Sequence, residues 1–497
     1  MKVLLISHSI EDESRFEHNS NCAYSLGLGY LHSTLEKNNY EVKTLFLNNY
    51  DYKFAQEKIS FVLKDFKPNF VGFQIFSMNR VSSFREIEFI NKDYPEIKIF
   101  IGGVHSSIMF EQIIQKYTFL IGVIGEGEVT IIELLNAIKN NKSIENIKGI
   151  AYYKNSSVTR TTTRDLIHDL DELPFPKHEI FFKEDPLRTI GHIITSRGCP
   201  FDCSFCCLKI ISQRKLRVRT IENVLEEIKS LKRKYPRLTH IQLHDDTFLI
   251  DNKRVIEFCK LLIKENLGIT FECSARVKPV SEEMFDWLQK AGFTKIMFGL
   301  ESGSEKILKS IHKQITPNDV IELFTILKKY KFTITTFLMC GFPNETETDI
   351  YKTISLVNRI QKIKYNWIAG IGKLWVYPGT EVYLLMKQSG KITDDYWLTN
   401  KPIPYYTVDY DLKKLKEFEN KIMFHVSIEK ILTFRGLIFH FIKYPFKILN
   451  FIIQHPSIIQ SIINNGNKII SFPFKIIFNP LEKIYKKLKN KKNSGTL

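Results

Sequence analysis

The sequence predicts an α/β protein with an N-terminal doubly wound, Rossmann-like parallel sheet, a central partial (β/α)6 barrel of the TIM type, and a basic, mainly helical C-terminal tail. Two successive series of apolar strands alternating with helical patterns predict the two sheets, because strands joined by helices pair in parallel between helical layers. A change to Ile-, Phe- and Lys-rich sequence after about residue 405 predicts the tail. A chain of 497 residues has room for about two or three domains.

The composition is that of an ordinary globular protein, with 44% hydrophobic and 25% charged residues, which excludes wholesale disorder and fibrous repeats. Eight cysteines, four of them within Cys199–Cys207, do not suit a secreted disulfide scaffold. The first residues, MKVLLIS, lack the longer apolar core and the cleavage site of a signal peptide. These features indicate a reducing cytoplasm.

The first series of elements predicts a domain over residues 1–140. Ligands bind such open sheets at the carboxyl ends of the strands, where the strand order reverses. The predicted strands are Lys2–Ser7, Glu41–Leu47, Asn69–Phe76, Lys98–Gly102 and Phe119–Ile124, and the predicted helices are Leu26–Glu36, Ala55–Asp65, Phe84–Asp93 and Thr130–Lys139. Residues 141–185 are polar and contain Pro174 and Pro176, which disfavour helix, so they are predicted to be an irregular linker.

The second series predicts a barrel domain over residues 186–400, with its chemistry at the carboxyl ends of the strands by analogy with closed barrels. The predicted strands are His192–Ser196, Leu238–His244, Thr270–Ala275, Lys295–Leu300, Thr333–Met339 and Ile368–Tyr377, and the predicted helices are Ile221–Lys234, Lys253–Glu265, Ser281–Lys290 and a run after Thr316. Thr316 is predicted to cap that last helix, because Pro317 and Asp319 follow it at the first and third helical positions.

Residues 405–497 are predicted to form a basic amphipathic extension. From Lys430 onward, twelve Lys and Arg face one acid, Glu482, so the last 68 residues carry +11 of the net charge of +17. The longest stretch there without a charged residue, Ile448–Asn467, is too polar for a spanning helix of about 20 apolar residues.

Three interpretations of the tail are a solvated helical face, contact with anionic lipid, and RNA binding. Its apolar residues are mostly Ile and Phe, which suit insertion into an interface better than base stacking. We therefore favour a cytoplasmic protein with peripheral membrane contact through the tail, and we do not expect a nucleic-acid partner.

The cysteine cluster is the strongest functional signal in the sequence. Cys199, Cys203 and Cys206 form a C-x3-C-x2-C pattern after the first barrel strand, and thiolates at these spacings can converge on one iron–sulfur cluster. Cys207 follows Cys206 directly and would not reach another corner of the same cube, which leaves one iron open. The alternatives are a structural zinc site, for which a second Cys/His pair is missing, or buried free thiols, the reading we prefer for the four scattered cysteines Cys22, Cys259, Cys273 and Cys340.

This loop, with Phe205 before its last ligand cysteine, resembles the radical S-adenosylmethionine superfamily. Further matching segments follow successive strands: His244–Phe248, Ser274–Arg276, Gly299–Glu305, Gly341–Thr346 and Tyr377–Thr380. The resemblance covers about residues 180–390. It implies a 4Fe–4S cluster whose open iron is chelated by S-adenosylmethionine, and reductive cleavage of that cofactor to a 5′-deoxyadenosyl radical.

Cofactor-binding roles can be suggested for several residues at the strand ends. Arg276 could pair with the cofactor carboxylate and Glu301 could accept from its ribose hydroxyls or amino group. The alternatives are a salt bridge at the barrel mouth for Arg276, a helix-start cap for Glu301, and a turn cap for Asp245 and Asp246. The expected S-adenosylmethionine site comprises Phe205, Asp246, Ser274, Arg276, Glu301 and Ser302.

Glycines follow strands of the N-terminal domain, where they allow the backbone to approach a large ligand closely. The expected contacts are Gly102, Gly103, His105 and Glu126. This arrangement resembles the cobalamin-binding domains that precede some radical S-adenosylmethionine domains. The D-x-H-x-x-G motif of many such domains is absent, so cobalamin without an axial histidine from the protein is expected. The alternative is a degenerate domain that keeps the fold without the ligand.

The resemblance implies an enzyme that uses an external electron donor. We expect cobalamin-dependent methylation of an unactivated carbon, or cyclisation or rearrangement, on a hydrophobic small molecule or lipid. A radical S-adenosylmethionine enzyme without corrinoid, and a non-catalytic membrane- or RNA-binding protein with a structural cluster, are the alternatives. The sequence identifies neither the substrate, nor the electron donor, nor the oligomeric state.

Overall fold

A computed structural model describes residues 1–8, 25–47, 52–184, 188–364 and 367–432. The chain divides into two compact units, Met1–Glu419 and Asn420–Leu497. The first unit contains both predicted sheets. Of the second unit, only the C-terminal part of one helix is described, so the expectations for the basic tail fall almost wholly outside the described residues.

The N-terminal sheet has the strand order β2-β1-β3-β4-β5-β6-β7. Its first five strands are parallel, and the order reverses between β1 and β3, as the prediction of a doubly wound sheet requires. The strands are β1 (Lys2–His8), β2 (Glu41–Leu47), β3 (Phe70–Gln74), β4 (Lys98–Gly102), β5 (Ile121–Val123), β6 (Ile150–Lys154) and β7 (Ser157–Arg160). The helices are α1 (Leu26–Lys37), α2 (Tyr52–Phe66), α3 (Arg80–Asp93), α4 (Val104–Lys116) and α5 (Glu128–Lys139).

The segment 141–185, expected to be an irregular linker, instead contains a hairpin that begins at Ile150. Strands β6 and β7 pair antiparallel, and β6 also pairs antiparallel with β5, so the hairpin extends the N-terminal sheet. Its two turn residues, Asn155 and Ser156, both have positive φ, the conformation of a tight hairpin turn that follows strand twist. The linker expectation relied on the two prolines, which lie beyond this hairpin.

The second sheet is parallel throughout, with the order β15-β14-β13-β12-β11-β8, and confirms the predicted partial barrel. A short antiparallel pair, β9 with β10, flanks the cysteine loop. The strands are β8 (Ile190–Ile193), β9 (Ser196–Arg197), β10 (Arg217–Val218), β11 (His240–Leu243), β12 (Thr270–Ala275), β13 (Phe293–Glu301), β14 (Thr333–Cys340) and β15 (Trp367–Lys373). The helices are α6 (Glu179–Glu184), α7 (Leu208–Ser212), α8 (Ile221–Lys234), α9 (Asn252–Glu265), α10 (Glu282–Lys290), α11 (Glu305–Ser310), α12 (Pro317–Leu327), α13 (Glu347–Ile363), α14 (Glu381–Gln388) and α15 (Leu412–Leu432).

Local sequence explains where the helices begin. The predicted cap of α12 is present as a reciprocal pair: the Thr316 hydroxyl accepts from the backbone of Asp319, and the Asp319 carboxylate accepts from the backbone of Thr316. At α8 the Thr220 hydroxyl accepts from the backbone NH of Asn223, a one-way cap. None of the described helices has the length and hydropathy of a membrane-spanning helix.

Two glycines at the carboxyl edge of the N-terminal sheet have left-handed φ values, +96° at Gly103 and +83° at Gly125. A Cβ on Gly103 would lie 2.8 Å from the carbonyl oxygen of Ile75, whereas a Cβ on Gly125 would meet no atom of the described residues within 4 Å. Both positions disfavour a side chain through their backbone conformation, but only Gly103 also excludes it sterically.

We predict that Gly125→Ala lowers the free energy of unfolding by about 1 kcal/mol, through the left-handed backbone alone. Gly103→Ala should cost about 1–3 kcal/mol more, because its methyl group must displace the backbone of Ile75. Urea denaturation followed by circular dichroism measures both variants. Equal losses in the two variants would contradict the close approach at Gly103.

Candidate functional site

The cysteine loop lies between β9 and β10 at the carboxyl end of the second sheet. Gly198 has a φ of +91° and packs so closely against the backbone of Lys215 that no side chain fits there. All three predicted ligand cysteines are free thiols; Cys203 is buried, and Cys199 and Cys206 are partly buried. The backbone NH of Cys206 donates to the carbonyl of Cys203 at 3.0 Å, a turn that brings these two residues together.

The thiols of this loop influence one another electrostatically. Burial raises the pKa of Cys199, and nearby Asp246 and Cys203 raise it further. Burial raises the pKa of Cys206 to about 12, with further increases from Cys207, Cys203 and Cys199. Iron cations reverse this penalty because they stabilise several thiolates at once, so the donor set fits an iron–sulfur cluster. Among the described residues no three His, Cys, Asp or Glu side chains converge on one point as ligands of a single ion would.

Arg276 follows β12 and lies directly against this loop. Its Nη1 is 3.4 Å from the sulfur of Cys203, its Nη2 donates to the backbone carbonyl of Lys313, and its guanidinium stacks on Phe201 at 3.7 Å from the ring centroid. Its Nε is buried and has no hydrogen-bond partner among the residues that the structure describes. A guanidinium with one unused buried donor beside the cysteines fits an additional anionic acceptor.

Glu301 and Ser302 follow at the end of β13, where the pairing register with β14 shifts. Glu301 has a φ of +64°, and one of its oxygens lies 2.6 Å from the ammonium of Lys313. Both side chains are 7% exposed. Ser302 is fully buried and its hydroxyl contacts the Thr353 hydroxyl at 3.2 Å. The helix-start cap suggested as the alternative for Glu301 falls instead on Ser304, before α11.

The two aspartates after β11 have different surroundings. Asp245 is buried and accepts three hydrogen bonds, from the backbone NH and hydroxyl of Thr195 and from the hydroxyl of Ser196, which joins the ends of β8 and β11. Asp246 accepts from the backbone NH of Gly198 at 3.2 Å. Burial and then Asp245 raise the pKa of Asp246 to about 6. Asp245 is therefore structural, as the turn-cap alternative proposed, whereas Asp246 borders open space.

That open space is a cavity of about 440 Å³ at the carboxyl edge of the N-terminal sheet, where the first and second sheets face each other. Three of the predicted N-terminal residues lie on its wall: Gly102, Gly103 and Glu126. Most of the wall is apolar. The barrel domain contributes Ile194, Arg197, His244 and Asp246, which follow β8 or β11 or, for Arg197, belong to β9.

The fourth predicted N-terminal residue, His105, lies behind this wall and does not border the cavity. It is buried on α4, with its Nδ1 2.9 Å from the Ser77 hydroxyl and its ring 5.4 Å from that of Trp397. Burial and then the positive charge of Arg80 lower the pKa of His105 to about 3. The glycine-rich segment indicated the correct edge of the sheet but not the direction of this side chain.

Arg197 connects the cysteine loop to the N-terminal domain. Its guanidinium donates to Glu126 at 3.1 Å and to Glu128 at 2.7 Å, and it stacks over Tyr30. Arg217 pairs with Arg197 across the β9–β10 ladder and also donates to Glu126, at 2.8 Å. Like charges directly opposite in a ladder repel, so Glu126 neutralises the pair that closes the loop.

Sequence reasoning missed Arg197, Arg217 and Glu128 in this cluster. The available signal was local: Arg197 precedes the first cysteine by two residues, and Glu126 and Glu128 flank Gly127 after a strand. That the two segments would meet depends on the packing of two domains, which the spacing within each segment does not encode.

Comparisons with known proteins agree with this architecture. The family model described as radical SAM superfamily matches residues 193–357, and the model described as B12 binding domain matches residues 18–135. The chain is a radical S-adenosylmethionine enzyme with an N-terminal B12-binding domain. These domains imply the 4Fe–4S cluster, S-adenosylmethionine and cobalamin predicted from the sequence, and the identification excludes the non-catalytic alternative.

The relatives of this radical S-adenosylmethionine enzyme include methyltransferases and cyclases. An uncharacterized methyltransferase of Pyrococcus horikoshii is 29% identical over 80% of this chain and 84% of its own length. The anaerobic magnesium-protoporphyrin IX monomethyl ester cyclase of Rubrivivax gelatinosus is 25% identical over 68% of this chain and 63% of its own length. The cobalamin-dependent S-adenosylmethionine radical enzyme OxsB has the same fold, with a TM-score of 0.71 at 17% identity over 100% of this chain and 81% of its own.

We predict that Glu126→Gln destabilises the enzyme by about 3 kcal/mol, because it leaves Arg197 and Arg217 opposed without their shared counter-ion. Glu133→Gln is the matched control: Glu133 pairs with Arg164 but its side chain is 46% exposed, and its loss should cost less than about 1 kcal/mol. Urea unfolding at neutral pH measures both variants.

The same pair of variants tests the pH dependence. Burial raises the pKa of Glu126, but the hydrogen bond from Arg217 and the charge of Arg197 outweigh burial and bring the pKa below its ordinary 4.5. The stabilisation is therefore complete above pH 4.5 and is lost as the pH falls below it. The stability gap between wild type and Glu126→Gln should narrow in that acid range, and a constant gap would contradict a charged Glu126.

Proposed function

We propose that Cys199, Cys203 and Cys206 hold the 4Fe–4S cluster. The observation that carries this proposal is the placement of the three free thiols on one loop, where a turn joins Cys206 to Cys203 and the guanidinium of Arg276 lies against Cys203. When bound, the cluster and S-adenosylmethionine supply one-electron reductive chemistry, and the corrinoid supplies methyl transfer. Arg276 balances negative charge at the cysteines, and its unpartnered Nε donates to the carboxylate of S-adenosylmethionine.

The other predicted contacts to S-adenosylmethionine are supported to different degrees. Asp246 accepts from the backbone of Gly198 in the cysteine loop, and Ser274 is partly buried near the carboxyl end of β12, two residues before Arg276. Phe205 is partly buried, 6.0 Å from the ring of Phe342. Glu301 offers its remaining acceptor capacity while bound to Lys313. Ser302 contacts S-adenosylmethionine through its backbone, because its hydroxyl is already hydrogen-bonded to Thr353 and to the backbone NH of Ser304.

The cavity between the two sheets is our proposed corrinoid site. Gly102 and Gly103 present bare backbone there, and Gly125 has open space where a side chain would be. Glycines permit close approach of a large macrocycle, and the apolar wall suits its flat face. Glu126 is engaged by Arg197 and Arg217, so its role is to fix the wall. His105 does not border the cavity, so the contact with cobalamin expected of it from the sequence is not part of this proposal.

The apolar residues on the inner face of the second sheet are the evidence for a hydrophobic substrate. Along β14, alternate residues are buried under the helices, and the intervening ones point inward. Phe337 is one of the inward residues; it is 44% exposed and its ring crosses Gly370 on β15. Ile368 is 53% exposed, and a Cβ on Gly372 would meet no atom within 4 Å. Within the described ranges of the chain, this side of the barrel is therefore an apolar surface that no other group covers, with unfilled space beside it.

The opposite side of the barrel is polar. Gln242 and Ser274 belong to its β11–β12 wall, and Glu272 accepts from both His240 and Lys295 near the amino ends of the strands. A substrate with an apolar body and a polar end fits an inner face divided in this way. Because the chain is similar to a methyltransferase and to a cyclase of a tetrapyrrole ester, we propose methylation of an unactivated carbon, with cyclisation as the second candidate.

The peripheral membrane contact expected of the tail stays a prediction. All but Lys430 of the basic residues on which it depends lie in 433–497, outside the described residues. The domain boundaries at residues 140, 185 and 400 likewise remain our proposal, with the β6–β7 hairpin added to the N-terminal sheet.

We predict that Cys203→Ala abolishes both the iron–sulfur chromophore after anaerobic reconstitution and the reductive cleavage of S-adenosylmethionine. Cys207→Ala is the matched control, a neighbouring thiol that should be dispensable because Cys206 already occupies that corner. Iron and sulfide analysis and low-temperature electron paramagnetic resonance after dithionite measure the cluster. A full cluster in Cys203→Ala, or its loss in Cys207→Ala, would contradict the ligand assignment.

We predict that reconstituted enzyme with cobalamin, dithionite and S-adenosylmethionine labelled in its methyl group transfers label into an organic-extractable molecule of a cell extract. The apolar inner wall is the reason to expect label in that fraction, and mass spectrometry identifies the product. Omitting cobalamin should leave cleavage of S-adenosylmethionine but stop label transfer. Label confined to the aqueous fraction would refute the hydrophobic substrate, and label transfer without cobalamin would refute corrinoid-dependent methylation.

A further inference from the structure

Two histidines meet at the point where the second sheet faces the cavity. His192 lies on β8 and His244 directly follows β11, the neighbouring parallel strand. The Nδ1 of His192 is 2.6 Å from the Nε2 of His244, and the ring centroids are 4.8 Å apart. At this distance the two nitrogens share one proton, so one ring donates and the other accepts.

Arg188 decides the direction of that hydrogen bond. Its Nη2 lies 3.2 Å from the Nε2 of His192, and a guanidinium can only donate. His192 therefore accepts at Nε2 and carries its own proton on Nδ1, which it donates to His244. It follows that His244 uses its Nε2 lone pair to accept, and that the proton of the neutral ring is on Nδ1.

The Nδ1 of His244 is the end of this chain of hydrogen bonds. Within the described part of the protein, no residue accepts from it, and the side chain lies on the cavity wall. The hydrogen-bonded pair of histidines thus presents one N–H to the cavity, from a residue that directly follows β11.

The surroundings keep both rings neutral. Burial lowers the pKa of His192 to about 2, and His244, Arg188, His178 and His240 lower it further. Burial also lowers the pKa of His244, against an opposing effect of Glu272. In the segment that follows β11, Asp246 is the second titratable side chain, besides His244, that borders the cavity. An added proton would set an N–H against another donor, either between the two rings at 2.6 Å or between the Nε2 of His192 and Arg188 at 3.2 Å.

We propose that His244 is a neutral hydrogen-bond donor that binds a carbonyl oxygen of a corrin side-chain amide, and that it is neither a cobalt ligand nor a base. This inference rests on the proposed corrinoid site. A corrin ring carries acetamide and propionamide groups at its edge, whose carbonyl oxygens accept hydrogen bonds. Metal ligation needs a free imidazole lone pair, and the lone pair of His244 is already used by His192.

The test uses cob(II)inamide, a corrinoid without a nucleotide base, and the full-length protein under anaerobic conditions. His244→Phe keeps a ring of similar size and removes the donor; it should weaken binding about five- to tenfold, as expected for one hydrogen bond. His244→Gln keeps an N–H donor and should bind within about twofold of wild type. His168→Phe, at an exposed histidine away from the cavity wall, is the matched control and should bind like wild type.

Two spectroscopic readouts separate the donor from the other roles. Electron paramagnetic resonance of the bound cobalt(II) should show no nitrogen splitting, since cobinamide supplies no axial nitrogen of its own. Nuclear magnetic resonance of protein labelled with nitrogen-15 histidine, with His244 assigned from the Gln variant, should show a neutral ring protonated on Nδ1 at pH 6.5, where an unperturbed histidine is half protonated.

The possible results separate the role of His244 from the existence of the corrinoid site. Wild-type affinity in His244→Phe, nitrogen splitting that this variant removes, or an imidazolium at His244 near neutral pH would each overturn the inference while leaving the corrinoid site intact. Failure of the wild-type protein to bind cob(II)inamide would overturn the corrinoid site itself, together with the role of His244.

Discussion

One carboxylate holds the catalytic loop of this enzyme in place. Glu126, from the N-terminal domain, binds Arg197 and Arg217, which lie opposite each other at the two ends of the cysteine loop. The two arginines repel across their ladder, and the attraction of each to Glu126 outweighs that repulsion. The loop is thereby closed and attached to the wall of the cavity by the same ion cluster, so the positions of the cysteines and of the cavity are not independent.

The polar groups of the second sheet divide into those that support this arrangement and those that face a ligand. Asp245 and Ser302 spend their hydrogen-bonding capacity on neighbouring backbone and hydroxyl groups. Arg276 keeps a buried nitrogen that has no hydrogen-bond partner among the described residues, and Asp246 and His244 lie on the wall of the cavity. Retained capacity of this kind distinguishes candidate binding groups from residues that only stabilise strand ends, even where both kinds occur in one short segment such as His244–Asp246.

Much of the fold followed from the sequence because its signals are local. The bounds of β2, β4, β12 and α8 agree with those predicted to the residue, since strand alternation and capping are encoded within a few positions. The hairpin at Asn155–Ser156 was missed because its turn lacks the glycine that usually marks positive φ. The cysteine ligands were predictable from spacing, whereas the direction of His105 and the meeting of Arg197 with Glu126 depend on how separate segments pack.

The closure of the cysteine loop ties the metal-binding segment to the other domain. Its ends are fixed through Arg197, Arg217 and the tight turn at Gly198, and the carboxylate that binds both arginines belongs to the N-terminal domain. A fragment of the chain that begins after the linker would therefore lack the counter-ion at both ends of this loop.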